Sequence, residues 1–454
     1  MTAPTDSTTL ATGTGQRLYR KARTMIPGAT GLFGHRQEMH APEQWPAYFD
    51  EAKGCEVTDL DGNTYLDFST CGIGATALGY ADPDVTQAVS DRVTRGSMCM
   101  LNPPDEVALA ELLLELHPWA SRVRFGRMGG ETMAIAVRIA RAFTGRDHIA
   151  FCGYHGWHDW YIAANLPTAD DDGSSDRLGD WHLMPGLEPK GVPAGLAGTS
   201  MPFSYNRIDE LKAIVDSHGE RLAAIVLEPT RNLFPEPGFL EGVRELADRT
   251  GACMIFDEIT ISWKLARGGA HLKYGVEPDL AVFAKSLGNG VPMAAIVGRT
   301  EPMEAFQDTF SSSAFWSEGI GPAAALACVR KHMRLDVPAH LERIGALVQK
   351  GVRELAGKHS LPLTFSGHPC LQYFAFDHPE ALALQTLWTA RMLTRGVMIS
   401  GGFYPTYAHQ EGDVDRYLEA CDASLGEVAD AMAAGDIEGR IGGPVKMTGL
   451  RRLA

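Results

Sequence analysis

The middle of the chain alternates short, mainly apolar runs with amphipathic helical segments, and this alternation limits the fold more than any other feature. The runs include HIAFC at 148–152, ACMIFDE at 252–258 and DLAVFAK at 279–285. The segment Glu131–Phe143 repeats apolar residues at i, i+3, i+4 and i+7, which predicts a helix with one buried face. Continuous apolar strands separated by helices are typical of a parallel sheet covered on both faces. The sequence therefore predicts an α/β core with a mostly parallel sheet between helices.

The segments on either side of this core have a different character. An Asp61-Gly62-Asn63 turn between two β-type runs predicts a hairpin. From about residue 330, long amphipathic helices mixed with weak strands indicate a smaller α+β unit. The Gly/Pro/Asp-rich stretch from about 165 to 200 is open to two interpretations, a mobile lid or a surface insertion. The predicted organisation is a disordered N-terminus (1–15), an N-terminal segment of the small domain (16–75), a large domain (76–330) and the C-terminal part of the small domain (331–454).

Polar and glycine residues follow the predicted core strands just past their C-terminal ends. In open parallel sheets, ligands bind outside the carboxyl ends of the strands. The sequence therefore predicts one binding site at one edge of the sheet. The residues concerned, in chain order, are Gly129, Gly130, Tyr154, His155, Glu228, Asp257 and Lys285.

These residue types match the needs of pyridoxal 5'-phosphate. That cofactor requires a lysine amine for a Schiff base, an acid facing its pyridine nitrogen, an aromatic side chain over its ring and a phosphate-binding turn. Lys285 follows an apolar strand, Asp257 precedes it by one strand–helix–strand unit, and Gly129-Gly130 precede a helix whose N–H groups favour a phosphate. The alternatives for these three features are a surface lysine, a helix N-cap and a plain strand-to-helix turn.

Long stretches of the chain resemble a known family. FDEITISWKLARGGAHLKYGVEPDLAVFAKSLGNGVPMAAIVG is similar to the cofactor segment of class III (fold type I) aminotransferases, and the closer likeness is to the glutamate-1-semialdehyde 2,1-aminomutase-like group. RFGRMGGETMAIAVRIARAFTGRDHIAFCGYHGWHD, DLDGNTYLDF and IVLEPT agree with the same family. The likeness runs from about residue 15 to 433.

The resemblance implies a role for each residue at the sheet edge. Lys285 would form the Schiff base and then move protons, and Asp257 would pair with the pyridine nitrogen. Glu228 would line the pocket near the ring oxygen. Tyr154 would stack on the ring, with His155 beside it.

The resemblance also implies how the rest of the site is built. Backbone N–H groups of Gly129 and Gly130 would hold the phosphate. Relatives use two subunits per site, so we expect a homodimer in which Ser312 or Ser313 reaches the neighbour's phosphate. Arg36 is the expected partner of a substrate carboxylate, with an ordinary surface arginine as the alternative.

Three departures from the family pattern bear on the substrate. Met128-Gly129-Gly130 stands where relatives have a small polar string, and Ser262-Trp263-Lys264 stands where Gly-Phe-Arg is customary. Arg231 falls in an unusual place. These changes leave the cofactor chemistry intact, but they argue against the substrate of the aminomutase as the substrate of this chain. We therefore favour transfer of an amino group between an amino acid or amine and a keto or aldehyde acceptor, with an intramolecular aminomutase or an amino-acid epimerase as alternatives.

Composition and local spacing exclude several other classes. Lys plus Arg is 41 and Asp plus Glu is 56, a net charge of −15, which is the wrong sign for non-specific nucleic-acid binding. No apolar window spans a membrane and no secretory signal is recognised, so we expect a cytoplasmic protein without a membrane partner. Two other interpretations have less support from the sequence: a nicotinamide-binding turn at 72–77, and a metal site at His155, His158 and Asp159. We expect no bound metal. A third alternative is a protein that binds the cofactor without catalysing a reaction.

Overall fold

The computed structural model describes residues 11–168, 178 and 187–449, and these form strands and helices as follows. The strands are β1 (Phe49–Lys53), β2 (Glu56–Asp59), β3 (Thr64–Phe68), β4 (Arg122–Gly126), β5 (His148–Cys152), β6 (Ser200–Pro202), β7 (Leu222–Leu227), β8 (Cys253–Asp257), β9 (Leu280–Phe283), β10 (Ala294–Gly298), β11 (Leu363–His368), β12 (Leu371–Phe376), β13 (Val397–Ile399) and β14 (Gly402–Phe403). The helices are α1 (Thr14–Arg23), α2 (Pro83–Thr94), α3 (Asp105–Leu116), α4 (Gly129–Thr144), α5 (Asp159–Ile162), α6 (Ile208–His218), α7 (Phe239–Thr250), α8 (Ala270–Tyr274), α9 (Thr300–Glu304), α10 (Ile320–Arg334), α11 (Val337–Lys358), α12 (Ala381–Leu393), α13 (Glu411–Ala434) and α14 (Ile437–Ile441).

The chain divides into two compact units. The core unit is Pro83–Asp336, and the flanking unit combines Met1–Asp82 with Val337–Ala454. The domain bounds expected from the sequence, at 75/76 and 330/331, stay predictions. Of the stretch interpreted as a lid or an insertion, residues 169–177 and 179–186 lie outside the described residues.

A seven-stranded sheet, in the order β4-β10-β9-β8-β7-β5-β6, forms the centre of the core unit. The pairs from β6 to β9 are parallel, and β10 runs antiparallel to both of its neighbours. Alternate residues of β7 belong to different hydrophobic clusters: Val226 packs with residues of α4, whereas Ile225 packs with residues of α6 and α7. Helices therefore cover both faces of the sheet. The predicted α/β class is confirmed.

Two small sheets form the flanking unit. One has the order β1-β2-β3-β13 and joins the N-terminal strands to a C-terminal one; the other has the order β11-β12-β14. The hairpin between β2 and β3 has the turn expected from the sequence, because the Asp59 carboxylate accepts bonds from the N–H groups of Asp61 and Asn63. Phe68 stacks on Phe403 and Tyr417, with ring centroids 4.8 and 4.4 Å away.

The structure differs from one expectation in the flanking unit, and it also bears on the weaker nicotinamide interpretation. Residues 1–10 of the N-terminus expected to be disordered lie outside the described residues, but Thr14 and Gly15 already belong to α1. The reason is that the Asp61 carboxylate accepts the Thr14 N–H, with distances of 3.0 and 2.7 Å to its two oxygens. The glycine-rich run at 72–77 forms a short 3-10 turn with φ of 63° at Gly72 and 55° at Ile73, and the next helix begins only at Pro83. This run therefore lacks the helix N-terminus that a nicotinamide cofactor's pyrophosphate needs.

Among the described residues, no helix combines the length and the apolar character needed to cross a bilayer.

Two glycines of α11 give a test of the packing in the flanking unit. A Cβ on Gly345 would lie 1.9 Å from the Pro369 carbonyl oxygen, whereas a Cβ on Gly357 would meet no atom within 4 Å. We expect Gly345→Ala to lower the free energy of unfolding by about 1–3 kcal/mol through overpacking. Gly357→Ala is the matched control and should raise it by up to about 1 kcal/mol through helix propensity. Urea unfolding of the full chain measures both, and equal effects at the two positions would contradict the packing described.

Candidate active site

The carboxyl ends of four neighbouring parallel strands bring the polar residues together. In the sheet, β9, β8, β7 and β5 are adjacent, with Asp257 opposite Val282 and Leu227 opposite Phe256. Asp257 is the last residue of β8, and Glu228 directly follows β7. Lys285 comes two residues after β9, and the Tyr154-His155 pair comes two residues after β5. The strands therefore deliver these side chains to one edge of the sheet.

Asp257 and His155 form a buried pair. His155 Nδ1 lies 2.9 Å from Asp257 Oδ2, and His155 Nε2 lies 3.0 Å from the Cys152 carbonyl oxygen. Both side chains are buried. Asp257 Oδ1 also accepts the Ile259 N–H at 3.0 Å. The imidazole of His155 therefore bridges the Asp257 carboxylate and the Cys152 carbonyl oxygen. This arrangement fixes the orientation of Asp257.

Lys285 has a strained backbone and an amine of lowered pKa. Its φ is +50°, in the left-handed region that non-glycine residues rarely adopt. Its Nζ donates a bond of 2.9 Å to Thr260 Oγ1. The pKa of the Lys285 amine is lowered from 10.5 to about 8, by burial first and by the Arg231 charge second, while the charges of Glu228 and Asp257 oppose the shift. An amine with this pKa is partly deprotonated near neutral pH, as a nucleophile requires.

Glu228 and Arg231 form a second buried pair. Arg231 Nη1 lies 3.2 Å from Glu228 Oε1, and both side chains are buried. Burial raises the pKa of Glu228, and the Arg231 charge opposes that shift. The Arg231 guanidinium carbon also lies 5.9 Å from the centre of the Tyr154 ring. Arg231 therefore supplies a positive charge beside three of the predicted site residues.

The two glycines expected to bind phosphate begin α4. Thr132 is the first residue of this helix whose N–H bonds back to a carbonyl, that of Met128, at 3.0 Å. The earlier N–H groups are the unpaired donors of a helix N-terminus. A Cβ on Gly130 would lie 3.2 Å from His158 Nδ1, and that buried nitrogen has no hydrogen-bond partner among the described residues. The N–H groups and the nearby imidazole can together receive an anion.

The remaining predicted residues are not part of this cluster. Ser312 and Ser313 are exposed between two 3-10 turns of the core unit, and neither side chain hydrogen-bonds to Gly129 or Gly130 in the described part of the chain. Arg36 belongs to the flanking unit, where its guanidinium carbon lies 4.7 Å from the centre of the Phe33 ring. The proposed roles of all three stay predictions.

Three residues at the site were missed by the sequence analysis. Thr260 accepts the Lys285 amine, His158 lies beside the glycines, and Lys264 donates to Thr260 and to the residue after Lys285. Two of them have a partial signal in the sequence: Lys264 departs from the family pattern, and His158 has the spacing of a metal ligand relative to His155. Nothing in the sequence marks Thr260, because its partner, the Lys285 amine, follows the next strand.

The residues present fit pyridoxal 5'-phosphate. A buried carboxylate held by two donors suits a protonated ring nitrogen. A lysine of lowered pKa suits a Schiff base, and an unpartnered imidazole nitrogen beside a helix N-terminus suits a phosphate. The structure thus offers each chemical group that this cofactor needs within the core unit.

Comparisons with known proteins agree with this arrangement. A family model described as "Aminotransferase class-III" matches residues 39–420. The 3-aminobutyryl-CoA aminotransferase of Cloacimonas acidaminovorans (strain Evry) is 33% identical over 429 residues, covering 90% of this chain and 96% of that protein. A glutamate-1-semialdehyde 2,1-aminomutase of Syntrophobacter fumaroxidans (strain DSM 10017 / MPOB) is 33% identical over 442 residues, covering 92% and 98%. The PLP internal aldimine form of the FumI protein of Sphingopyxis sp. MTA144 superposes with a TM-score of 0.83 at 25% identity, covering 93% and 98%.

After burial, the charge of Arg231 is the second cause of the lowered pKa of Lys285, and this contribution can be tested. Because Arg231 lowers the pKa of Lys285, Arg231→Met should raise that pKa above about 8. In cofactor-free protein, the rate at which acetic anhydride labels Lys285 should reach half its maximum at a higher pH. Mass spectrometry of the labelled peptide measures this rate.

Arg231→Lys keeps a positive charge and serves as the control, with labelling expected near the wild-type pH. The exposed Lys273 gives an internal reference for an ordinary lysine. An unchanged or lower half-maximal pH in Arg231→Met would contradict the electrostatic account.

Proposed function

The chain belongs to the class III aminotransferase family of pyridoxal-phosphate enzymes, and on that premise we propose that Lys285 is the residue that holds the cofactor while the amino group is transferred. The proposed reaction moves an amino group between an amino acid or amine and a keto or aldehyde acceptor. The observation that carries this proposal is Lys285 itself, a lysine of lowered pKa at the same sheet edge as a buried carboxylate.

The core unit would hold the cofactor through its own side chains. Gly129 and Gly130 would bind the phosphate by their N–H groups, and Tyr154 would lie against the ring. Asp257 would keep a proton on the ring nitrogen; a carboxylate about 4 Å from a pyridinium contributes roughly 4 kcal/mol at an effective ε near 20. Bound there, pyridoxal phosphate accepts the electron pair left when a proton leaves the substrate carbon.

The protein's part in the reaction is to place and move protons. The Lys285 Nζ would take the proton from the substrate carbon and return it at a different atom, which a group with a pKa of about 8 can do near neutral pH. His155 would keep Asp257 in place. Arg231 would favour the ionised form of Glu228 near the ring oxygen, since its charge opposes the larger effect of burial, which raises the pKa of Glu228. We propose Arg36 as the group that binds a substrate carboxylate.

An intramolecular aminomutase is the second candidate. The 33% identical relative named glutamate-1-semialdehyde 2,1-aminomutase is the observation that favours it. An amino-acid epimerase would share the same first proton removal. The three reactions differ in where the proton and the amine return, and only the aminotransferase needs a second, keto or aldehyde substrate.

We also propose a homodimer with shared active sites. Ser312 and Ser313 lie between Phe310 and Phe315, two large apolar side chains that are exposed. Met128, next to the phosphate-binding glycines, is exposed as well. Apolar side chains exposed around a polar site mark an interaction surface. A second copy would cover these side chains and bring its serines to the phosphate.

A cytoplasmic location is proposed as well. All eight cysteines are free thiols, which is typical of proteins in a reducing compartment.

Two measurements test the reaction. Borohydride reduction of cofactor-loaded protein should trap an adduct that maps to Lys285, and an adduct at another lysine would overturn the proposed role. Turnover of amino donors should then require 2-oxoglutarate, pyruvate or another keto or aldehyde acceptor. Turnover without any acceptor would favour the aminomutase or the epimerase instead.

The proposed dimer surface can be tested with charged substitutions. Phe310→Asp combined with Phe315→Asp should convert a dimer to a monomer in sedimentation equilibrium, because burying two carboxylates at an apolar interface is costly. Leu382→Asp, at an exposed apolar position on α12, is the control and should leave the mass unchanged. A wild-type chain that is monomeric at micromolar concentration would contradict the proposal.

A further inference from the structure

A completely buried lysine lies beneath the segment that carries Lys285. Lys264 follows β8 by seven residues, and its side chain has no solvent exposure. Its Nζ donates bonds of 2.7 Å to the Thr260 carbonyl oxygen and to Ser286 Oγ. Placing an ammonium group in the interior costs several kcal/mol unless hydrogen bonds compensate. The position is also where Ser262-Trp263-Lys264 departs from the pattern of the family.

The two acceptors of Lys264 are direct neighbours of Lys285. Thr260 accepts the Lys285 amine through Oγ1 and the Lys264 amine through its carbonyl oxygen. Ser286 follows Lys285 in the chain, and its carbonyl oxygen accepts the Cys328 Sγ–H at 3.1 Å. Lys264 therefore joins the loop after β8, which contains Thr260, to the 3-10 turn Lys285–Leu287 after β9.

This connection matters because Lys285 is held in an unfavourable conformation. A non-glycine residue at φ +50° is strained, and it persists only where the surroundings fix it. The bonds from Lys264 fix the residue after Lys285 and the hydroxyl-bearing residue opposite its amine. Without them, both acceptors would lose a donor in the interior of the core unit.

We propose that Lys264 is a positioning residue for Lys285, tying Thr260 to Ser286 so that the Lys285 amine stays directed at the cofactor; this rests on the proposed role of Lys285. Lys264 touches neither substrate nor cofactor in this account and acts through Thr260 and Ser286. A lysine suits this position because a compact ammonium has three donors for closely spaced acceptors.

The contact of both amines with Thr260 gives a second measurable effect. Lys264 donates to the Thr260 carbonyl oxygen and Lys285 donates to the Thr260 hydroxyl, so loss of Lys264 should loosen the Lys285 amine and speed its reaction with a reagent. The charged groups that shift the pKa of the Lys285 amine are Arg231, Glu228 and Asp257. On the far side of Lys264 is His332, whose pKa is lowered to about 3 by burial first and by the charges of Lys264, Arg267 and Lys331, so it stays neutral over the tested range.

The test compares Lys264→Met with Lys264→Arg in the full chain, with Lys273→Met as an exposed-lysine control. In the loaded protein, the cofactor should leave Lys264→Met at least about tenfold faster than wild type, measured from the decay of visible absorbance after dilution. In cofactor-free protein, acetic anhydride at pH 8 should label Lys285 at least about twofold faster, because a strained residue keeps its conformation only where the surroundings fix it. Lys264→Arg should recover most of both effects.

Kinetics and stability separate positioning from a merely structural role. Lys264→Met should lower kcat and leave KM for the amino donor within about twofold. If it lowers only the melting temperature, with wild-type release and labelling rates, the proposal is wrong. If Lys264→Met does not fold, Ser286→Ala removes one acceptor at little cost in volume and should accelerate cofactor release in the same direction. A wild-type release rate in Ser286→Ala would then overturn the proposal.

Failure of the positioning role of Lys264 can be distinguished from failure of the cofactor-binding role of Lys285. A borohydride adduct that maps to Lys264 or to any lysine other than Lys285 refutes the premise, whatever the variants do. An adduct at Lys285, with release and labelling unaffected by Lys264→Met, refutes only the positioning role.

Discussion

The parallel pairing of β7, β8 and β9 is the constraint on which the site depends. Neighbouring strands lie about 4.8 Å apart, so residues at their ends become neighbours although they are far apart in sequence. Asp257 pairs in register with Val282, three residues before Lys285. A shift of one residue would turn Asp257 to the opposite face of the sheet. Packing on both faces prevents such a shift, because every residue of β7 and β8 is buried.

The same burial that fixes the strands also sets the chemistry of the charged groups. It raises the pKa of Glu228 and lowers the pKa of Lys285, so each moves toward its neutral form. Arg231 acts on both groups: it favours ionised Glu228 and disfavours charged Lys285. The result is a carboxylate and a reactive amine near the same sheet edge, an arrangement that isolated side chains in water would not produce.

The sequence predicted the parts of this site that follow from strand order and missed the parts that depend on loops. Asp257 and Lys285 could be placed because apolar runs mark strands and polar residues mark their ends. Thr260 and Lys264 could not, because their partners come from the loop after a different strand. The expected roles of Arg36, Ser312 and Ser313 came from the family resemblance alone, and they stay predictions. The helical start at Thr14 was missed because its partner, Asp61, is remote in sequence.

The flanking unit has an implication for synthesis of the chain on the ribosome. β3 pairs with β2 on one side and in parallel with β13 on the other, through Leu66 opposite Val397. About 330 residues must be translated between these two positions, which takes tens of seconds at roughly 5–20 residues per second. During that time one edge of β3 has no partner strand, and an open edge is a site for pairing with other nascent chains. The late arrival of β13 makes chaperone protection of this edge valuable to the cell.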